Sequence, residues 1–251
     1  MNKNKKGDLH GLRVLNTRPE AQGQALNQTI QRAGGQAIHC PTLTISPTLA
    51  THWLPLLPPL LIVQYAIFTS VNAVHYFFDG LENNAMAWSN QITVIAIGKS
   101  TEKALKSRNR VVHFIPAKAD SEHLLALPAL QQIKNNTVLL IKGEGGRGLI
   151  PETLAARGAN LISVNVYRRT IPELNSNELA HLWQNDAIDI IVFTSQEAMH
   201  NLFVLLGKEA TEWLQQKPCL VISPRLAKEA AILGIKNSTV CEPDTLRTIP
   251  L

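Results

Sequence analysis

Residue types suited to holding an anion recur at one kind of place in this chain, where an apolar run gives way to a short polar or glycine-containing turn. They are Thr17 and Arg18; Thr69 and Ser70; Gly98, Lys99, Ser100 and Thr101; Lys142 and Gly143; Thr194 and Ser195; and Ser223 and Arg225. Short hydroxyls, cations and glycines where helices begin offer O–H groups, positive charge and free backbone N–H groups to carboxylates or phosphates. The same serines and threonines also serve as helix caps, and each taken alone reads that way. Tyr167 is of another kind. It ends the β-rich run Val164-Asn165-Val166-Tyr167 just ahead of Arg168 and Arg169. Its hydroxyl can point into a cleft as a proton donor, or the ring can be an ordinary sheet tyrosine.

Other chemistries lack their signatures. The eight histidines include no His-x-x-x-His pair and no close Cys/His grouping, so a metal is not expected. Cys40, Cys219 and Cys241 are widely spaced, as in a reducing compartment. No Gly-x-Ser-x-Gly elbow is present. The loop Gly143-Glu144-Gly145-Gly146-Arg147-Gly148 fits neither nucleotide-loop pattern, and Gly98-Lys99-Ser100 lacks the glycine five positions earlier.

These positions imply elements that present them. Short apolar runs at 12–16, 63–68, 92–97, 111–115, 137–141, 188–193 and 220–222 read as strands. Helical segments follow most of them, giving a βαβ rhythm and parallel sheets covered on both faces. Thr17 with Glu20, and Thr194 with Glu197, have the spacing of capping boxes, and Ser223-Pro224 suits a helix start. Gly34-Gly35 should stop the first helix. Residues 37–45 read as one extended stretch despite Pro41, and 121–133 as a helix shortened or bent by Pro128. In such sheets ligands sit outside the carboxyl ends of the strands, where all the marked residues fall.

The chain also repeats itself. Ile67-Phe68-Thr69-Ser70-Val71-Asn72-Ala73 parallels Val192-Phe193-Thr194-Ser195-Gln196-Glu197-Ala198 at an offset of 125. Ile97-Gly98 parallels Ile222-Ser223 at the same offset, while Arg18-Pro19-Glu20 parallels Lys142-Gly143-Glu144 at 124. A period of this length implies two similar lobes rather than a solenoid. Periodicity leaves open whether the chain divides near Asn136 or exchanges its first βα units. Two lobes with their helix starts turned toward each other would clamp a polyanion from both sides.

Composition narrows the partners. Of the formal charge of +5, Lys3, Lys5 and Lys6 in a polar N-terminal tail contribute three. The remainder is only weakly basic, with no zinc-finger spacing and no arginine-rich run, so nucleic acid is not an expected partner. The most apolar stretch, 53–68, is interrupted by Pro55, Pro58 and Pro59 and falls short of the roughly 20 residues a spanning helix needs. No apolar signal region follows the basic tail. A cytosolic protein without membrane contact is expected.

Taken together, Val14-Leu15-Asn16-Thr17-Arg18-Pro19, the two Phe-Thr-Ser-x-x-Ala segments, Ile95-Ala96-Ile97-Gly98-x-x-Thr101, Leu140-Ile141-Lys142-Gly143 and Val166-Tyr167 resemble the uroporphyrinogen-III synthase family. The match runs from about Leu12 to Ile235. The loop 143–148, the proline-rich stretch 46–62 and the residues after Pro243 stand apart from it. The resemblance implies two flavodoxin-like α/β lobes, each a parallel sheet flanked by helices, joined by a two-stranded β-ladder. One lobe would combine 1–36 with 172–251, the other would span 48–160, and 37–47 with 161–171 would form the ladder. It further implies cyclisation of hydroxymethylbilane to uroporphyrinogen III, with loss of water and inversion of the last pyrrole ring, by a monomer needing no cofactor or metal. The ligand would lie between the lobes, held largely by backbone amides, and Tyr167 would assist departure of the hydroxyl. The competing reading is a bilobed carrier of a small polyanion without turnover.

Overall fold

Strand and helix alternate along the chain in the computed structural model, which describes residues 9–241. The basic tail with Lys3, Lys5 and Lys6, and the segment from 242 onward, lie outside the described residues. The strands are β1 (Arg13–Asn16), β2 (Gln36–His39), β3 (Thr44–Pro47), β4 (Tyr65–Phe68), β5 (Thr93–Ala96), β6 (Thr137–Gly143), β7 (Asn160–Thr170), β8 (Ile190–Phe193), β9 (Cys219–Val221) and β10 (Ser238–Val240). The helices are α1 (Glu20–Arg32), α2 (Ala50–Trp53), α3 (Val71–Asn83), α4 (Lys99–Ser107), α5 (Ser121–Leu125), α6 (Leu149–Ala156), α7 (Ser176–Gln184), α8 (Gln196–Leu206), α9 (Thr211–Gln216) and α10 (Pro224–Ile232).

The chain forms two units, one of Met1–Thr44 with Thr170–Leu251 and one of Ile45–Arg169. The first carries a five-stranded sheet in the order β2-β1-β8-β9-β10, parallel throughout. The second carries the order β3-β7-β6-β4-β5, with β7, β6, β4 and β5 mutually parallel. A parallel bridge from Ile95 to Phe114 continues that order past β5. The repeat therefore has a structural counterpart. β1 and β2 of one unit match β6 and β7 of the other, while β8 and β9 match β4 and β5. The first βα pair of each sequence half belongs to the opposite unit from the rest of that half.

The central strands are apolar on both sides because both faces are covered. Alternate side chains of a strand point to opposite faces. In β4 and β6, Ala66, Phe68, Leu139 and Ile141 enter one buried cluster, while Ile67, Val138 and Leu140 enter another. In the other unit Leu15, Ile191, Phe193 and Val221 face one cluster, and Val14, Ile190, Val192 and Leu220 face the second. Continuous runs such as Val138–Ile141, fully buried, are what a doubly covered parallel strand requires.

Several local expectations change. Residues 37–45 do not form one extended piece: Gln36–His39 lies against β1, and Thr44–Pro47 lies in the other sheet beside β7. Pro41, without an N–H, falls in the break. Residues 111–115 provide only the bridge at Phe114. The helix expected over 121–133 ends at Leu125, and Pro128 opens a separate 3-10 turn, Pro128–Leu130. Neither threonine box forms. α1 follows Pro19 with no side-chain cap, and Ser195 rather than Thr194 caps α8.

Candidate active site

The marked residues gather at the carboxyl ends of the strands in each unit. In the unit 45–169, Thr69 and Ser70 follow β4, Gly98 to Thr101 open α4 after β5, Lys142 and Gly143 end β6, and Tyr167 lies level with Gly143 on β7. In the other unit Thr17 and Arg18 follow β1, Thr194 and Ser195 follow β8, and Ser223 and Arg225 follow β9.

The serines act first as caps. Ser70 accepts from the Ala73 N–H at 3.0 Å, Ser195 from Ala198 at 3.1 Å and Ser223 from Leu226 at 3.3 Å. Each cap uses the hydroxyl oxygen as acceptor and leaves its O–H to donate. Gly98, the counterpart of Ser223, begins α4 without a side-chain cap, so the N–H groups of its first turn lack a hydroxyl partner at the cap. A Cβ on Gly98 would stand 2.7 Å from that of Ala119, which keeps this corner closed to larger residues.

The threonines stitch strand ends. Thr17 is fully buried and donates to the Val192 carbonyl at 2.8 Å. Thr69 donates to the Ile141 carbonyl at 3.2 Å. These bonds join equivalent strand pairs in the two units, running in opposite directions. Thr101 is also buried, whereas Lys99, Ser100 and Arg225 are exposed. Arg18 keeps its Nε buried without a hydrogen-bond partner, and its backbone N–H is fixed by the Asn16 side chain at 3.1 Å.

Tyr167 is buried, and its ring lies flat against Gly143, where any Cβ would collide with it. Its hydroxyl oxygen receives hydrogen bonds from Ser70 Oγ at 3.1 Å and from Arg169 Nη2 at 3.1 Å. Beside it opens a cavity of about 160 Å³ lined by Thr69, Lys142, Gly145, Arg147, Tyr167 and Arg169, among others. That is room for one carboxylate arm or one small ring, not for a whole multi-ring ligand. Lys142 reaches over it, donating to the Gly145 carbonyl at 2.7 Å and to Asn165 Oδ1 at 3.3 Å. Burial among neutral oxygens lowers its pKa from the usual lysine value. Gly145 and Gly146 both take the left-handed conformation, φ +70° and +86°, which glycine adopts without strain. Arg147 is tied to Glu122 at 3.0 Å.

Two features escaped the sequence reading. Arg169 belongs with Tyr167: two positions apart on a strand is one face, so period-2 alternation was the available signal. Asn16 is wholly buried and holds the turn after β1, donating to the Gly23 carbonyl at 2.9 Å and to Asn27 at 2.8 Å. Nothing in its spacing marked it. Among the described residues no three His, Cys, Asp or Glu side chains form a metal-ligand group, and no helix is long and apolar enough to cross a membrane.

Fold and strand ends together define a two-unit, doubly wound α/β protein with cations, hydroxyls and helix starts gathered at the carboxyl ends of its strands. A family model described as uroporphyrinogen-III synthase HemD matches residues 24–248. Uroporphyrinogen-III synthase of Escherichia coli (strain K12) is 32% identical over 235 residues, covering 91% of this chain and 94% of its own length. That of Proteus mirabilis is 32% identical over 191 residues, covering 75% and 96%. Among solved structures, a mutant uroporphyrinogen III synthase from the extremely thermophilic bacterium Thermus thermophilus shares the fold with a TM-score of 0.69 at 17% identity, over 94% of this chain and 95% of that one. Uroporphyrinogen-III synthetase from Helicobacter pylori 26695 gives 0.60 at 16% identity, over 93% of each. This chain belongs to the uroporphyrinogen-III synthase HemD family.

Proposed function

We propose that this chain closes hydroxymethylbilane to uroporphyrinogen III, releasing water and inverting the last pyrrole ring, as a step of tetrapyrrole biosynthesis. Membership of the family along almost the whole chain is the observation that carries this reading. The chemistry asks little of the protein in acid strength. A pyrrole nitrogen pushes out the hydroxyl with its own electrons, and the linear substrate closes unaided, without inversion. The enzyme's task is to hold the last ring so that attack comes from its substituted carbon.

The substrate's eight carboxylates supply the handles. In the unit 45–169, Lys142, the exposed Lys99 and Ser100, and the uncapped start of α4 at Gly98 offer charge and N–H groups. Thr69 and Gly143 shape the same strand ends, and buried Thr101 anchors α4. In the other unit Arg18 and Arg225 supply cations, and Ser195 and Ser223 retain O–H donors; Thr17 ties the turn after β1 to Val192, and Thr194 stands beside Ser195 at the end of β8. Tyr167 is the proton donor to the departing hydroxyl. Ser70 and Arg169 both donate to its oxygen, so its own proton is left to face the cavity. We assign the working form as a cytosolic monomer.

Freshly made hydroxymethylbilane, quenched and resolved by isomer, tests the reading. Isomer III at a rate above spontaneous closure is expected, and Tyr167→Phe should lower turnover while the circular dichroism spectrum is kept. Isomer I alone, at the spontaneous rate, would leave the polyanion carrier in its place.

A further inference from the structure

Arg169 stands two residues beyond Tyr167 on β7 and therefore on the same face. Its guanidinium makes two contacts with that one side chain. Nη2 donates to the phenol oxygen at 3.1 Å, and Cζ lies 5.6 Å from the ring centroid, within cation–π range. Both residues line the same cavity, and Arg169 is solvent-exposed where Tyr167 is buried.

We propose that Arg169 is a positioning residue that aims the Tyr167 proton and holds the phenolate formed when it leaves. This rests on the assignment of Tyr167 as the proton donor. The step balances without a further reactant. The C–O bond of the hydroxymethyl group breaks as the pyrrole nitrogen donates its electron pair, and the Tyr167 proton joins the departing hydroxide as water. Negative charge then sits on the phenol oxygen, 3.1 Å from a permanent cation. It is discharged later: after the substituted carbon has bonded, its old bond to the bridge breaks, the bridge rejoins the last ring at its unsubstituted α-carbon, and the proton that this carbon loses returns to Tyr167. Ser70 supplies a neutral second donor to the same oxygen, so the guanidinium is what adds charge. Arg168, on the other face of the strand and absent from the cavity wall, carries the same charge without that contact.

Steady-state kinetics with isomer analysis on wild type, Arg169→Gln, Arg169→Lys, Arg168→Gln, Tyr167→Phe and the double variant Tyr167→Phe/Arg169→Gln tests this, each variant being checked by thermal melt. Arg169→Gln should lower kcat about 10- to 100-fold with KM held within about twofold. Arg169→Lys should recover part of the loss, and Arg168→Gln should behave as wild type. In the Tyr167→Phe background Arg169→Gln should change nothing further, because the group it acts through is gone. A raised KM at unchanged kcat would make Arg169 a direct carboxylate contact and overturn the proposal. So would an equal loss in both backgrounds, or an equal loss from Arg168→Gln. Wild type making isomer III with Arg169→Gln matching it would remove this inference alone; wild type making only isomer I would remove it together with the function.

Discussion

Gly143→Ala asks how far the site depends on the place of one ring. A Cβ at Gly143 would stand 2.5 Å from Tyr167 Cζ, 2.6 Å from Cε2 and 2.9 Å from Cε1. Relaxed carbon contacts lie at about 3.5–4.0 Å, so the ring must retreat by about 1 Å. Gly143 does not occupy the left-handed region, so alanine meets no backbone penalty and the effect is steric. The ring is only 2% exposed and packs near Tyr76, at 6.0 Å between centroids, so the retreat compresses neighbours at a cost of about 1–3 kcal/mol. The hydroxyl travels with the ring. Its two bonds of 3.1 Å stretch to about 4 Å, beyond hydrogen-bond reach. A displacement of about 1 Å at a reacting group costs about 100-fold. Turnover to isomer III should therefore fall by about that factor, measured in the same quenched assay. Gly80→Ala is the control. Its Cβ would run into the Trp53 ring, so it should lose comparable stability in a urea titration while keeping turnover. The reasoning is refuted if Gly143→Ala turns over like wild type, or if Gly80→Ala loses as much activity.

Three further outcomes are expected. Thr17→Val removes the hydroxyl's hydrogen bond to the Val192 carbonyl in a buried site and should destabilise the protein by about 1–3 kcal/mol in urea; no shift in midpoint would deny that bond a structural role. Hydrogen bonds from Arg13 hold Asp189 below the usual carboxylate range. Its contribution is present above the unfolded carboxylate pKa of about 3.9 and is lost as pH falls through the lower folded value. Asp189→Asn should accordingly weaken the protein at neutral pH and flatten the acid limb of the urea midpoint; an unchanged limb would count against the pairing. Burial pushes the Cys40 thiol up to about 11 and the Cys219 thiol to about 12. At pH 8 a disulfide reagent should label Cys241, which is only half-buried, ahead of both, and those two should react at full rate only in denaturant.

The sequence by itself determined the secondary-structure rhythm and the repeat. Buried parallel strands must be apolar on both faces and must hand over to helices through small polar turns, so runs such as Val138–Ile141 and the two Phe-Thr-Ser segments declare themselves locally. The offset of 124 to 125 also maps strand onto strand, because both copies build the same sheet. Which copy's strands share a sheet the repeat alone left open: β1 joins β8 and β6 joins β4 through long-range burial and backbone pairing that no local pattern encodes. The same holds for side-chain roles. Thr17 and Thr194 carried the spacing of caps, yet Pro19 and Ser195 start the helices, and Thr17 turns inward to a carbonyl 175 residues away. The Tyr167 hydroxyl meets Ser70 from 97 residues earlier and Arg169 from its own strand, with Gly143 fixing the ring. Such a constellation depends on contacts between distant segments, and those form only once the apolar runs have been driven out of water and packed.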